Sequence, residues 1–74
     1  MSQEKFIEDF LSATDFQNPV VVTMETVLVE LPEWDSLAAL GVIVMFDIEY
    51  GKTITGEDLH KTGTVGDLYK LAGF

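Results

Sequence analysis

The chain contains no cysteine and no arginine. Without cysteine, neither a disulfide framework nor a thiolate metal site can hold its 74 residues together. A single core of that size supplies only about 3 to 5 kcal/mol of net stability, so packing of secondary structure must carry the fold alone. Positive charge is scarce as well: four lysines stand against thirteen acidic residues, a net charge of -9. Such a surface repels nucleic acid and anionic membrane and draws basic partners by an attraction that salt weakens. The same charge opposes compaction by self-repulsion. Long apolar runs are also missing. The longest, Leu37 to Phe46, is ten residues, about half of what a bilayer requires. The segment from Met1 to Asp9 is acidic and has no apolar stretch of the kind a signal peptide needs. These features predict one cytoplasmic, monomeric domain that neither inserts into membranes nor binds nucleic acid. Disorder is excluded by what is present: 47% of residues are apolar and 11% are aromatic.

Ser2 to Thr14 has the pattern of an amphipathic helix, with Ser2 able to cap it. Phe6, Ile7, Phe10 and Leu11 lie on the core face, and Glu4, Lys5, Glu8 and Asp9 on the solvated one. Asn18 and Pro19 mark a loop after it. From Val20 to Glu30 the β-branched residues have strand propensity. Two short strands alone make a poorly stable hairpin, however, and no third follows. The expectation is a long structured loop pinned by Val22, Val27, Leu28 and Leu31. Pro32 then directs the chain into the main helix, Ser36 to Tyr50, which Gly51 ends.

In this helix Ala39, Val42, Ile43, Phe46 and Tyr50 form a core stripe, while Leu37, Leu40, Val44 and Ile48 form a second stripe beside it, with Met45 close by. A helix apolar nearly all round is either enclosed on both sides or presents one side to a partner that comes and goes. A short helical turn is expected over Ile54 to His60, opened by Thr55 or Gly56, with Ile54 and Leu59 inward. Thr64 caps a last helix, Val65 to Ala72, with Asp67 completing a capping box and Val65, Leu68 and Leu71 inward, Tyr69 beside them. The fold class is therefore all-α: a small four-helix bundle, three helices longer and one short, with a long loop between the first and second.

Chemistry-bearing residues are few. Asp35 and Ser36 at the start of the main helix are both good caps, and either could accept from the free amides of the first turn. A phosphate ester grown from Ser36 would be stabilised at the positive end of the helix. A serine hydrolase is excluded by the absence of a Gly-x-Ser-x-Gly elbow around Ser36. His60, the single histidine, suits a surface position. Asp47 to Asp58 has the length of a calcium loop but carries Gly51, Lys52 and Asp58 where that loop needs an oxygen ligand, glycine and glutamate. No catalytic set and no metal site are expected, so Ser36 can matter chemically only if another enzyme modifies it.

Leu31-Pro32-Glu33-Trp34-Asp35-Ser36-Leu37 resembles the attachment motif of acyl carrier and peptidyl carrier proteins, whose Asp-Ser-Leu serine receives 4'-phosphopantetheine from coenzyme A. Phe46-Asp47-Ile48-Glu49-Tyr50-Gly51 is similar to that family's Leu-Glu-Glu-Glu-Phe-Gly, and Thr64-Val65-Gly66-Asp67-Leu68 to its Thr-Val-Gly-Asp helix start. Ile54 and Glu57-Asp58 also fit by position. The resemblance covers roughly residues 22–72 and is ungapped through the C-terminal half, and the first helix agrees by position and pattern only. It implies a stand-alone carrier that is not an enzyme. Ser36 would bear the arm, with Asp35 and Leu37 read beside it by a phosphopantetheinyl transferase. An acyl or aminoacyl group would travel as a thioester between loading enzymes and acyl transferases of a biosynthetic pathway. Leu37, Leu40, Val44, Met45 and Ile48 would be the face those enzymes grip. Ala38, Gly41 and Ile48 stand where carriers of bacterial fatty acid synthesis have acidic residues, so recognition should be more apolar and the pathway other than housekeeping fatty acid synthesis. The alternative is an unmodified acidic helical interaction module using the same face.

Overall fold

In a computed structural model the chain is described over residues 2–18 and 20–74. Met1 and Pro19, the latter expected to help break the chain after the first helix, lie outside the described residues. Helix α1 spans Gln3–Thr14, with Ser2 Oγ accepting from the Lys5 amide at 3.1 Å as the expected cap. Phe6 and Phe10 are fully buried on its inner face and Ile7 and Leu11 pack partly beside them. It ends where Asp15 turns left-handed, at φ 49°, and its amide donates to Leu11 O.

Helix α2, Ser36–Tyr50, has the expected limits, with Gly51 left-handed at φ 64°. Val42 and Phe46 are fully buried, Ala38 and Met45 nearly so, and Ala39, Ile43 and Tyr50 pack partly around them. Phe6 meets Phe46 edge-on and lies over Tyr50, with ring centroids 6.2 and 5.7 Å apart. The Tyr50 hydroxyl donates to Asp9 Oδ2 at 2.7 Å, and the Lys5 ammonium pairs with the same carboxylate. At Gly41 the backbones touch: a Cβ there would run into the Ala13 carbonyl oxygen. The glycine that lowers helix propensity is thus required within this chain, where α1 crosses α2, and not by an outside partner.

The connection from α1 to α2 contains no strand among the described residues, only a 3-10 turn over Leu28–Glu30. Val22, Leu28 and Leu31 are buried as expected and Val27 half-buried. Strand propensity is overridden because the segment's donors and acceptors are used elsewhere. The Leu28 amide donates to Gly63 O at 3.0 Å, while the Val65 and Gly66 amides donate to Thr26 O and Met24 O at 3.0 and 2.8 Å. One isolated bridge, Val27 to Thr64, results. The Glu33 carboxylate accepts from the Gln17 and Asn18 amides, both at 2.9 Å, and so joins the two ends of the connection.

Helices α3, Gly56–Lys61, and α4, Val65–Leu71, each open on a full capping box, Thr55 with Asp58 and Thr64 with Asp67. Ile54 and Leu59 are buried, as are Val65 and Leu68, but Leu71 is 37% exposed and Ala72 takes the inward place. At about 100° per residue Ala72, seven residues on from Val65, returns to the core side, whereas Leu71 has rotated past it. The chain is the expected all-α four-helix bundle, with helices of 12, 15, 6 and 7 residues and a long connection between α1 and α2.

Candidate functional site

Trp34 and Leu31 fix the approach to α2. Leu31 is buried, the Trp34 amide donates to its carbonyl at 3.1 Å, and the indole stacks on Phe10 at 6.2 Å between ring centroids. The chain therefore enters α2 from a held position, and the cap question resolves: Asp35 Oδ1 accepts from the Ala38 amide at 2.9 Å. With Asp35 as the cap, Ser36 is the first helical residue, and it is exposed. Its hydroxyl makes no hydrogen bond among the described residues, and the Ser36 and Leu37 amides have no acceptor there either. A free hydroxyl thus stands beside two free donors at the positive end of a four-turn helix, a setting that favours an anion, although the Asp35 carboxylate offsets part of the field. No base is hydrogen-bonded to the hydroxyl that would make it a nucleophile unaided.

Beside Ser36 opens a groove of about 620 Å³ between the long connection, α2 and α3. Leu28, Trp34, Ala39, Ile43 and Leu59 line it, with His60 and Thr62 at the α3 side. His60 is exposed, as its sequence context suggests. The groove itself was not foreseen. Its one sequence signal is an α2 apolar on more sides than a single core contact needs.

The second stripe of α2 faces outward: Leu37 is 76% exposed, Leu40 54%, Val44 46% and Ile48 72%. Met45, expected with them, is a correction, being only 5% exposed. It lies three residues beyond Val42 and seven beyond Ala38, which puts it on the core side of the helix. The exposed stripe is therefore narrower than expected, and Leu40 is its hinge, since it also borders the groove beside Ser36.

Among the described residues no three His, Cys, Asp or Glu side chains are grouped as a metal ion would need, and no helix is long and apolar enough to cross a membrane. Two carboxylates are held low, Glu33 in the approach to α2 and Asp9 against Tyr50 at its far end. At Glu33 the Asn18 and Gln17 amides lower the pKa below the usual glutamate value. Burial pushes the Asp9 carboxyl up, but the Lys5 ammonium and the Tyr50 hydroxyl together outweigh it and leave Asp9 below the usual aspartate value. No protein-family model matches the chain, and neither a curated protein nor a solved structure matches it.

Proposed function

We propose that the chain is a stand-alone acyl carrier protein that carries a 4'-phosphopantetheine arm on Ser36. The supporting observation is local. Because Asp35 takes the capping role, the Ser36 hydroxyl is left exposed and unengaged at the head of α2, within an Asp-Ser-Leu motif that resembles the attachment site of carrier proteins. The residues fit such a group, since a phosphodiester grown from this oxygen would meet the free Ser36 and Leu37 amides at a helix N-terminus. In the loading reaction the Ser36 oxygen displaces at the pyrophosphate of coenzyme A. An oxygen-phosphorus bond to Ser36 forms, the pyrophosphate linkage breaks, adenosine 3',5'-bisphosphate leaves, and a base of the phosphopantetheinyl transferase takes the proton. The arm supplies a terminal thiol on which an acyl or aminoacyl group is carried as a thioester.

The remaining work falls to the protein's own residues. Leu37, Leu40, Val44 and Ile48 offer an exposed apolar face to loading enzymes and acyl transferases. The groove bordered by Trp34, Ile43 and Leu59 offers a dry refuge beside the attachment point. Tethering raises the effective concentration of the cargo at a docked enzyme, so docking need not be tight. The absence of acidic side chains at Ala38 and Gly41, the latter turned toward α1, suits partners other than those of housekeeping fatty acid synthesis. Such a carrier acts in the cytoplasm and does no chemistry of its own.

The test is incubation with coenzyme A, magnesium and several phosphopantetheinyl transferases, read by intact mass. A gain of one arm, abolished in Ser36→Ala, is the expected result. If no transferase adds mass to folded protein, the carrier reading fails and an unmodified acidic interaction module takes its place.

A further inference from the structure

We infer that the flank of α2 turned toward α1 is a docking groove for an amphipathic helix of a partner protein, one with aliphatic side chains along one face and lysine or arginine beside them. This deepens the partner face proposed above and rests on that part of the proposal alone, not on modification of Ser36. The groove, about 680 Å³, lies on the side of α2 away from α3. Leu37, Leu40, Val44 and Ile48 form one wall, and the backbone contact of Gly41 with Ala13 forms the floor. Because Gly41 has no side chain, the α1 backbone comes close enough at Ala13 to close the bottom of the groove.

The dimensions suit a helix. From Leu37 to Ile48 the wall extends about 16 Å at ~1.5 Å per residue, three turns, which matches aliphatic anchors spaced three or four apart on an opposing helix. Charge identifies what flanks those anchors. No residue of α2 is basic. Asp9, Asp15 and Glu49 border the groove, and only Asp9 has a cation paired with it among the described residues. Ala13 meets Gly41 and Asp9 meets Tyr50, so α1 runs antiparallel to α2. Asp15 therefore lies toward the Leu37 end and Glu49 at the Ile48 end, one carboxylate for a partner cation at each. A second copy of this chain, itself at -9, would bring like charge against like, and an anionic membrane would be repelled in the same way.

The test is an amide NMR titration of the whole protein with a synthetic leucine-lysine helical peptide, its leucines at i, i+4, i+7 and i+11. A scrambled peptide of the same composition and a leucine-glutamate version serve as controls. Saturable shifts at Ala13, Gly41, Val44 and Ile48, absent with the glutamate peptide and at least tenfold weaker with the scrambled one, are expected. Val44→Asp should weaken binding tenfold or more while leaving the remaining spectrum dispersed. Asp15→Asn with Glu49→Gln should weaken it severalfold and flatten its salt dependence. Ser36→Ala should bind like the wild type, so a failure to be loaded with an arm leaves this inference standing. Equal binding of the scrambled peptide, shifts centred on Trp34, Ile43 and Leu59, or a dimer in sedimentation equilibrium that covers the same residues would each overturn it.

Discussion

At Gly41 a single hydrogen atom sets how closely two helices approach. Alanine would gain about 1 kcal/mol in helix propensity, yet its methyl group has no room against Ala13 O, and overpacking of this kind costs about 1 to 3 kcal/mol. Gly41→Ala is expected to come out destabilised by about 1 kcal/mol in urea unfolding, against the sign that propensity alone gives. Asp9 sets a second test. Its folded pKa lies below the unfolded value, so it contributes stability that is present above the ordinary aspartate range and is lost as pH falls through the folded value. Glu33 behaves with the same sign, as does Asp67, held low by the Gly63 and Thr64 amides. Carboxyl-carbon NMR titration should show all three titrating below their ordinary values. In Tyr50→Phe the Asp9 midpoint should move up while the other two stay in place.

Helix ends were the most legible elements, because a cap is a side chain meeting a backbone group a few residues away. Ser2, Gly51 and Thr64 could each be assigned from neighbouring residues alone, whereas the opening of α3 stayed between Thr55 and Gly56 until the structure showed Thr55 as its cap. The choice between Asp35 and Ser36 could not, since both side chains suit the position and only the angle at which the chain arrives decides. That angle is set by Trp34 on Phe10, two residues far apart in sequence. Met45 and Leu71 were misplaced for a related reason: each sits at the margin of an apolar stripe, where rotation by one residue moves a side chain between core and solvent. The groove beside Ser36 was invisible because three separate segments build it. Removal of the cap in Asp35→Ala should cost about 1 kcal/mol in urea unfolding, with the loss concentrated in faster amide exchange over the first turn of α2. A variant as stable as the wild type would mean that Ser36 can take over the cap, and its hydroxyl would then no longer stand free.

For the whole molecule, charge is the dominant long-range influence. With one ion pair between side chains among the described residues, Lys5 with Asp9, most carboxylates repel one another without local compensation. Raising sodium chloride at neutral pH should therefore raise the melting temperature measured by circular dichroism, steeply at first and then levelling as the Debye length shortens to about 10 Å near 0.1 M. A melting temperature that falls with salt would show that local pairing outweighs the repulsion. The rest of the architecture is uneven in its anchoring. α1 and α2 share the aromatic cluster and α4 is tied to the long connection by backbone bonds, but the six-residue α3 contributes Leu59 as its one buried side chain. Of the surfaces around Ser36, the one made by α3 is therefore the easiest to displace. In a carrier of the kind proposed, a bulky guest would make its own room by swinging this short helix aside, so tolerance toward cargo of different girth would be set by a movable flap more than by the shape of a finished mould.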